Sequence, residues 1–311
     1  MSPAEQVSAK QHQRAYWAWI AVCVCWGTTF LAIRITLESL PPLAMAGSRH
    51  VIAGIIVAIA VTARGIDLPQ RESWPMHALL GVLMIGLGNG GVVWAEQFVP
   101  SGLAAVMVSV IPFWMVGVEA LMPGSERLHL SQFIGLLLGF GGIVLLTSSN
   151  VTVGGAAGGR FLQGVIALQC SCCGWAIGSA YAKRHARHEN VFAATAMQMI
   201  FGGLSLMLAG TLLGEWHSVQ MTFRSGLAFV YLIIFGSLVG YASYAYALKY
   251  LPITTVSLYA YVNPVIAVML GALLLKEPYT ARMVVAIGII FVAMLIVRRS
   301  ADTSSSSRAP A

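Results

Sequence analysis

Charge is scarce in this chain: 18 Lys and Arg and 11 Asp and Glu make up only 9% of 311 residues. A soluble domain carries about 25%. With 58% hydrophobic residues and a mean hydropathy of +0.80, there is too little polar surface to keep the chain in water. Cysteine is sparse too. Cys23, Cys25, Cys170, Cys172 and Cys173 all fall inside apolar runs, at spacings that suit neither a disulfide framework nor a zinc site on one helix face. They read as small packing residues. HExxH and GxSxG are missing, and no apolar run carries paired acids at catalytic spacing. His185 and His188 are neighbours, but in a basic loop. An intramembrane enzyme is therefore the weaker reading, and neither a metal nor another cofactor is expected.

What the sequence does hold is apolar runs about as long as a bilayer is thick, for which about 20 residues are needed. They cover 17–36, 43–62, 75–95, 101–122, 131–148, 161–181, 191–213, 226–247, 253–275 and 282–298, and predict an all-α integral membrane protein of ten transmembrane helices. The first run is about twice a signal-peptide core and nine more follow, so it is read as a retained helix. Of the 18 basic residues, twelve fall at the inner ends of spans or beyond them, on the side of the N-terminus, five likewise on the other side, and Arg49 deeper inside a span. Basic loops stay in the cytoplasm, so both termini are expected there, in a cell inner membrane. The net charge of +7 follows from this bias and needs no nucleic-acid partner. Asn150-Val151-Thr152 forms a glycosylation sequon on the outer side, a motif short enough to arise by chance.

The chain also repeats itself. Residues 96–114, EQFVPSGLAAVMVSVIPFW, resemble residues 248–266, LKYLPITTVSLYAYVNPVI. Pro100 and Pro252 are 152 positions apart, as are Pro112 and Pro264, and Gly88 and Gly240. Glu126 and Glu277 follow the proline spans at an offset of 151, and VCWGTTFLAIR matches SCCGWAIGSAYAKR at about 150. Five spans per copy is an odd number, so the second copy enters the membrane inverted. The expected organisation is a cytoplasmic segment 1–16, a first repeat 17–148, a Gly-rich outer linker 149–160, a second repeat 161–298 and a disordered cytoplasmic tail 299–311. Inverted repeats recur in secondary transporters, where they allow a central site to open to either side in turn.

CWGTTFLAIRITLESLPPLAMAGSRH (25–50), GNGGVVWAEQFVPSGLAAVMVSVIPF (88–113) and TTVSLYAYVNPVIAVMLGALLLKEP (254–278) resemble the EamA-type permeases of the drug/metabolite transporter superfamily. The resemblance runs from about residue 17 to 298. It implies the ten-helix inverted-repeat fold and transport of small metabolites, usually export, of substrates as varied as amino acids, other metabolites and drugs.

Candidate site residues follow from polarity and depth. Pro112 and Pro264 are expected to kink two equivalent helices in mid-span, freeing a carbonyl one turn earlier beside a cavity; the plainer reading is a simple bend. Asn89 and Tyr241 share the 152 offset, and Tyr259 and Asn263 lie on one helix face beside Pro264. Trp26, Trp175 and Tyr244 lie too deep for an interfacial belt and are expected to wall the cavity with them. A charge at mid-membrane costs about 2.5 kcal/mol or more, which singles out Arg49, Glu96 and, near helix ends, Arg34 and Glu119. Arg34, Arg49 and Glu96 are expected to form an outer-vestibule charge cluster, against the alternative that they snorkel to headgroups. Glu119 is expected to snorkel or to pair with Arg127. The GxxxG pairs 86/90, 135/139, 174/178 and 236/240 suit close helix packing.

An aromatic cavity with a few amides suits a small organic ligand, and its rings suit an amine. Amino acids and amine-bearing metabolites are favoured as substrates, with membrane lipid as the surrounding partner. Multidrug and sugar-phosphate or nucleotide-sugar transport remain alternatives, the latter weakened because only Arg49 lies at cavity depth. Coupling to protons or to exchange stays open. No acid lies between Trp17 and Ile33, so a proton-coupling group would be Glu96 or Glu119.

Overall fold

A computed structural model describes residues 3–122, most of 133–145, 155–185, 189–277 and 280–306. Among these residues the chain is helical, with no strand. The helices are α1 (Pro3–Thr36), α2 (Pro42–Thr62), α3 (Arg71–Ala95), α4 (Ser101–Leu121), α5 (Gly155–His185), α6 (Val191–Leu212), α7 (Phe223–Tyr250), α8 (Tyr259–Leu274) and α9 (Ala281–Ser306). Helical residues within 133–145 lie between α4 and α5. Among the described residues seven helices are long and apolar enough to cross a membrane, and the shorter apolar segments Tyr259–Leu274 and Met283–Ala293 add to them.

Local chemistry sets the starts. Pro42 opens α2 in its first turn, where a missing N–H is harmless. The Asn190 side chain accepts from Phe192 N at 3.0 Å and Ala193 N at 3.2 Å to cap α6, and Thr222 and Ser225 form a capping box on α7. Against the expected spans, α1 starts earlier, α5 begins at Gly155 within the expected linker, and α9 continues to Ser306, past residue 298. Glu126, Arg127 and the Asn150 sequon lie outside the described residues.

Lipid explains what faces outward. Ile52, Ile55, Ile56 and Ile59 on α2 and Leu204, Leu208 and Leu212 on α6 are exposed, as a hydrocarbon solvent allows. The opposite faces of these two helices meet head to tail. A Cβ on Gly47 would lie 2.8 Å from Gly203 O and one on Gly203 2.8 Å from Gly47 O, while Gly54 meets Ala196 and Ile200. As numbers rise on α2 they fall on α6, so the pair is antiparallel. The same holds for α4 and α8: the first residues of α4 meet Glu277, just beyond the end of α8. Contacts between halves come in matched sets, α1 against α7 and α8, and α5 against α3 and α4.

Two irregularities recur in both halves. Within α3 and α7 the stretches Val82–Asn89 and Leu232–Tyr241 are wound as π-helix, a form often found at functional positions. They end on Asn89 and Tyr241. The first proline helix breaks at Ser109–Val110, and its counterpart at Ser257–Leu258.

Candidate functional site

The π stretches hold their glycines against two tryptophans. A Cβ on Gly240 would lie 2.4 Å from Trp26 Nε1, and one on Gly88 2.9 Å from Trp175 Cε3. Each tryptophan thus crosses from one half to lie on the π-helix of the other. The Trp26 indole N–H donates to Gly236 O at 3.0 Å, and the Ser171 hydroxyl donates to Gly88 O. Carbonyls that the wider π winding presents thereby gain partners from α1 and α5.

Around this crossing the predicted aromatic residues gather into one cluster. Trp26 lies 5.3 Å from Trp175, 5.2 Å from Tyr244 and 5.2 Å from Tyr259, centroid to centroid. Trp175 lies 5.1 Å from Tyr244 and 6.0 Å from Tyr241. Several pairs meet edge to face, which ring quadrupoles favour. Tyr244 is fixed by the Trp175 N–H at 3.0 Å and by Ser179 Oγ at 2.7 Å.

The cluster separates two spaces. On one side a chamber of about 70 Å³ is lined by Trp26, Trp175, Tyr259, Asn89, Asn263 and Arg49. On the other, a vestibule of about 400 Å³ is lined by Tyr241, Tyr244, Gln198, Thr195, Lys183 and Lys249. All seven residues expected around one cavity are brought together, but Tyr241 and Tyr244 face the vestibule rather than the chamber.

Arg49 and Asn89 join at the chamber wall, where Arg49 Nη2 donates to Asn89 Oδ1 at 2.5 Å. On the vestibule side, Tyr241 OH donates to Gln198 Oε1 at 2.9 Å. Gln198 was not singled out from sequence. It stands 149 positions after Arg49, the same offset that separates Trp26 from Trp175, so the repeat itself carried the signal. With its amide turned so that nitrogen donates, Asn263 bonds Cys23 O at 3.0 Å and Tyr259 O at 3.2 Å.

The prolines act differently from each other. Pro264 lies inside α8, as expected. Pro112 is not a mid-helix kink; it occupies the first turn of the segment Ile111–Leu121 that follows the break in α4, where it interrupts no helical bond. The Val108 carbonyl, one turn earlier, borders the chamber and has the Cys172 thiol at 4.0 Å.

The expected outer charges are divided. Arg34 donates to the main-chain oxygen of Glu96, whereas Arg49 turns to Asn89. Glu96 is fully buried, and its carboxylate accepts no hydrogen bond among the described residues. Arg34, Glu277 and Arg49 act on it electrostatically, yet none forms an ion pair with it among the described residues. At the same end Glu277 accepts from Ser101 N at 2.9 Å, Ser101 Oγ at 2.7 Å and Gly102 N at 3.1 Å, capping α4 with charge of the favourable sign. Glu119, at the other end, bonds Arg184 at 2.6 Å, while Arg127 lies outside the described residues. Lys183 donates to Leu248 O and to Leu251 O, and Lys249 to Glu189 O. Among the described residues no group of three or more His, Cys, Asp and Glu could hold a metal ion.

A bundle of apolar helices whose two halves cross at an aromatic cluster between two cavities is the architecture of a membrane transporter. The sequence model of the EamA-like transporter family matches residues 13–148 and again 162–299, and the chain belongs to that family. It is 35% identical to the inner membrane transporter YedA of Escherichia coli strain K12 over 281 residues, covering 90% of this chain and 89% of that one. It is 26% identical, over 96% of this chain and 98% of the other, to a protein of Streptantibioticus cattleyicolor named "Probable terminal-alkyne amino-acid exporter". A solved crystal structure shares the fold with a TM-score of 0.65 at 20% identity, covering 91% of this chain and 96% of that one. The protein is a multi-pass inner-membrane transporter.

Proposed function

We propose that the protein exports amino acids or amine-bearing metabolites by alternating access at the aromatic cluster. The observation that carries this reading is the cluster itself, built from α1, α5, α7 and α8 of both halves, with a separate cavity on each side. In this reading ten spans form two inverted five-helix repeats with both termini cytoplasmic. The antiparallel packing of the equivalent helices α2 and α6, and of α4 and α8, supports the inversion. The vestibule bordered by Lys183 and Lys249 belongs to the cytoplasmic end by the positive-inside rule. At the other end Arg34 holds the end of α3 through the Glu96 main chain, while Glu277 and the Glu215 carboxylate, which accepts from Ala44 N at 2.7 Å, tie loops to the starts of α4 and α2. The conformation is thus inward-facing.

Aromatic faces attract a cationic amine, and the amides and hydroxyls around them suit a compact polar head. The name of the Streptantibioticus relative supports amino acids as the class. Phosphorylated sugars fit less well, since Lys183 and Lys249 are already engaged by carbonyls and Arg49 is the one basic residue lining the chamber. Of the two acids open to proton coupling, Glu119 is paired with Arg184, which leaves Glu96 for that role.

The test is ligand-induced thermal stabilisation of the detergent-purified protein against amino acids, amines, sugar phosphates and nucleotide sugars. We expect shifts with aromatic or aliphatic amino acids that vanish in Tyr259→Ala. A shift confined to phosphorylated sugars would overturn the substrate class. Accumulation of the same amino acids in inside-out vesicles tests the direction.

A further inference from the structure

We propose that Arg49 and Asn89 form a carboxylate subsite, so that the transported species is an amino acid held by both ends rather than any amine. This deepens the function proposed above and rests on it. Arg49 is 2% exposed and lies on the wall of the chamber, eight residues into α2 and so about 10 Å along it. A guanidinium carries a permanent charge and five donors. Here the neutral Asn89 oxygen takes one donor, and Nε has no hydrogen-bond partner among the described residues. No carboxylate lies within ion-pair distance of it among those residues. Glu96 acts on Arg49 electrostatically without forming an ion pair with it, and Arg34, which donates to the Glu96 main chain, acts on that carboxylate more strongly than Arg49 does.

A buried cation with no carboxylate in contact is costly unless something supplies the anion. The chamber is where it can be supplied. Gly236, in the π stretch of α7, leaves the guanidinium room: a Cβ there would lie 3.1 Å from Nη1. The same chamber is lined by Trp26, Trp175 and Tyr259, whose rings suit the ammonium group of the same molecule. One small space therefore offers both halves of a zwitterion their partners.

The vestibule offers no such pairing. Its equivalent of Arg49 and Asn89 is Gln198 and Tyr241, which are neutral. The vestibule lysines, Lys183 and Lys249, are held by main-chain carbonyls, so a substrate carboxylate meets the Arg49 guanidinium only after passing the aromatic cluster. A ligand shifts a conformational equilibrium only by its differential affinity for the two states, and this asymmetry supplies one.

The experiment measures equilibrium binding to the purified full-length protein of L-leucine and L-phenylalanine, their carboxamides, and the amines left by removing the carboxyl group. A charge-assisted hydrogen bond is worth enough for the free acids to bind about ten- to a hundredfold more tightly than the amides and amines. In Arg49→Gln that preference should vanish, the acids binding no more tightly than the amides. Asn89→Asp keeps the arginine but hands it a permanent anion, and should abolish the preference in the same way, which separates the effect from misfolding. Equal binding of acids and amides by the unmodified protein would overturn the subsite while leaving amine transport standing. An acid preference that survives both substitutions would overturn it as well. Binding of none of the six compounds would overturn the subsite together with the proposed substrate class.

Discussion

Arg49 with Asn89 and Gln198 with Tyr241 occupy equivalent places in the two halves, yet only one pair carries charge. Both pairs join the helix that forms the central antiparallel contact to a π-wound helix, and both flank the aromatic cluster, one toward the chamber and one toward the vestibule. The backbone is repeated; the chemistry is not. Duplication gives a transporter its two-sided frame, and the proposed carboxylate subsite rests on the divergence of both positions, Arg49 against Gln198 and Asn89 against Tyr241.

The frame can be broken through the glycines under the tryptophans. Gly240→Leu and Gly88→Leu both force a branched side chain into Trp26 or Trp175, and overpacking of this kind costs about 1–3 kcal/mol or more. We expect the largest loss of thermal stability and of transport in these two variants, about equal in both, as a repeated frame demands. A large loss in only one would show that the crossing is not shared.

The chemistry can be compared next. Asn89→Leu strips the acceptor from a buried cation and should cost about 1.5–3 kcal/mol, whereas Tyr241→Phe removes a neutral hydrogen bond worth about 1 kcal/mol. Chemical denaturation of the purified variants should rank them in that order. The reverse order would mean that Arg49 finds another partner once Asn89 is gone.

The two ends of the molecule differ on a smaller scale. Glu277→Gln weakens the charged cap on α4 and is expected to cost about 0.5–1 kcal/mol, read as a modest fall in melting temperature. Arg184→Gln breaks a pair whose side chains are 29% and 45% exposed; pairs of that kind contribute less than about 1 kcal/mol, so its melting temperature should stay near that of the parent.

Much of this was legible in the sequence because the repeat is. Apolar run lengths located the helices, and offsets near 150 paired Pro112 with Pro264 and Asn89 with Tyr241. Depth separated Trp26, Trp175 and Tyr244 from an interfacial belt, and the structure brings them together. Other features depended on geometry that periodicity does not encode. π winding leaves no distinct pattern in apolar spacing, so the stretches ending at Asn89 and Tyr241 went unseen. Pro112 reads as a kink because its distance from the preceding break is a tertiary fact. Gln198, an uncharged amide in an apolar run, gives a weaker signal than Arg49, and only the repeat offset of 149 marks it. Arg49 was grouped with Arg34 and Glu96 by depth along the chain, while the direction of its side chain, toward Asn89, required the fold.

The most direct test of the central claim, that the aromatic cluster is the barrier of an alternating-access site, is thiol labelling on either side of it. Thr195→Cys places a thiol in the vestibule and Val92→Cys one in the chamber, each in a background without the five native cysteines, probed with a membrane-impermeant reagent in right-side-out and inside-out vesicles. The account predicts that Cys at 195 is labelled from the cytoplasmic face, Cys at 92 from the opposite face, and that a transported amino acid changes the two rates in opposite directions. Labelling of both positions from one face at the same time would contradict it.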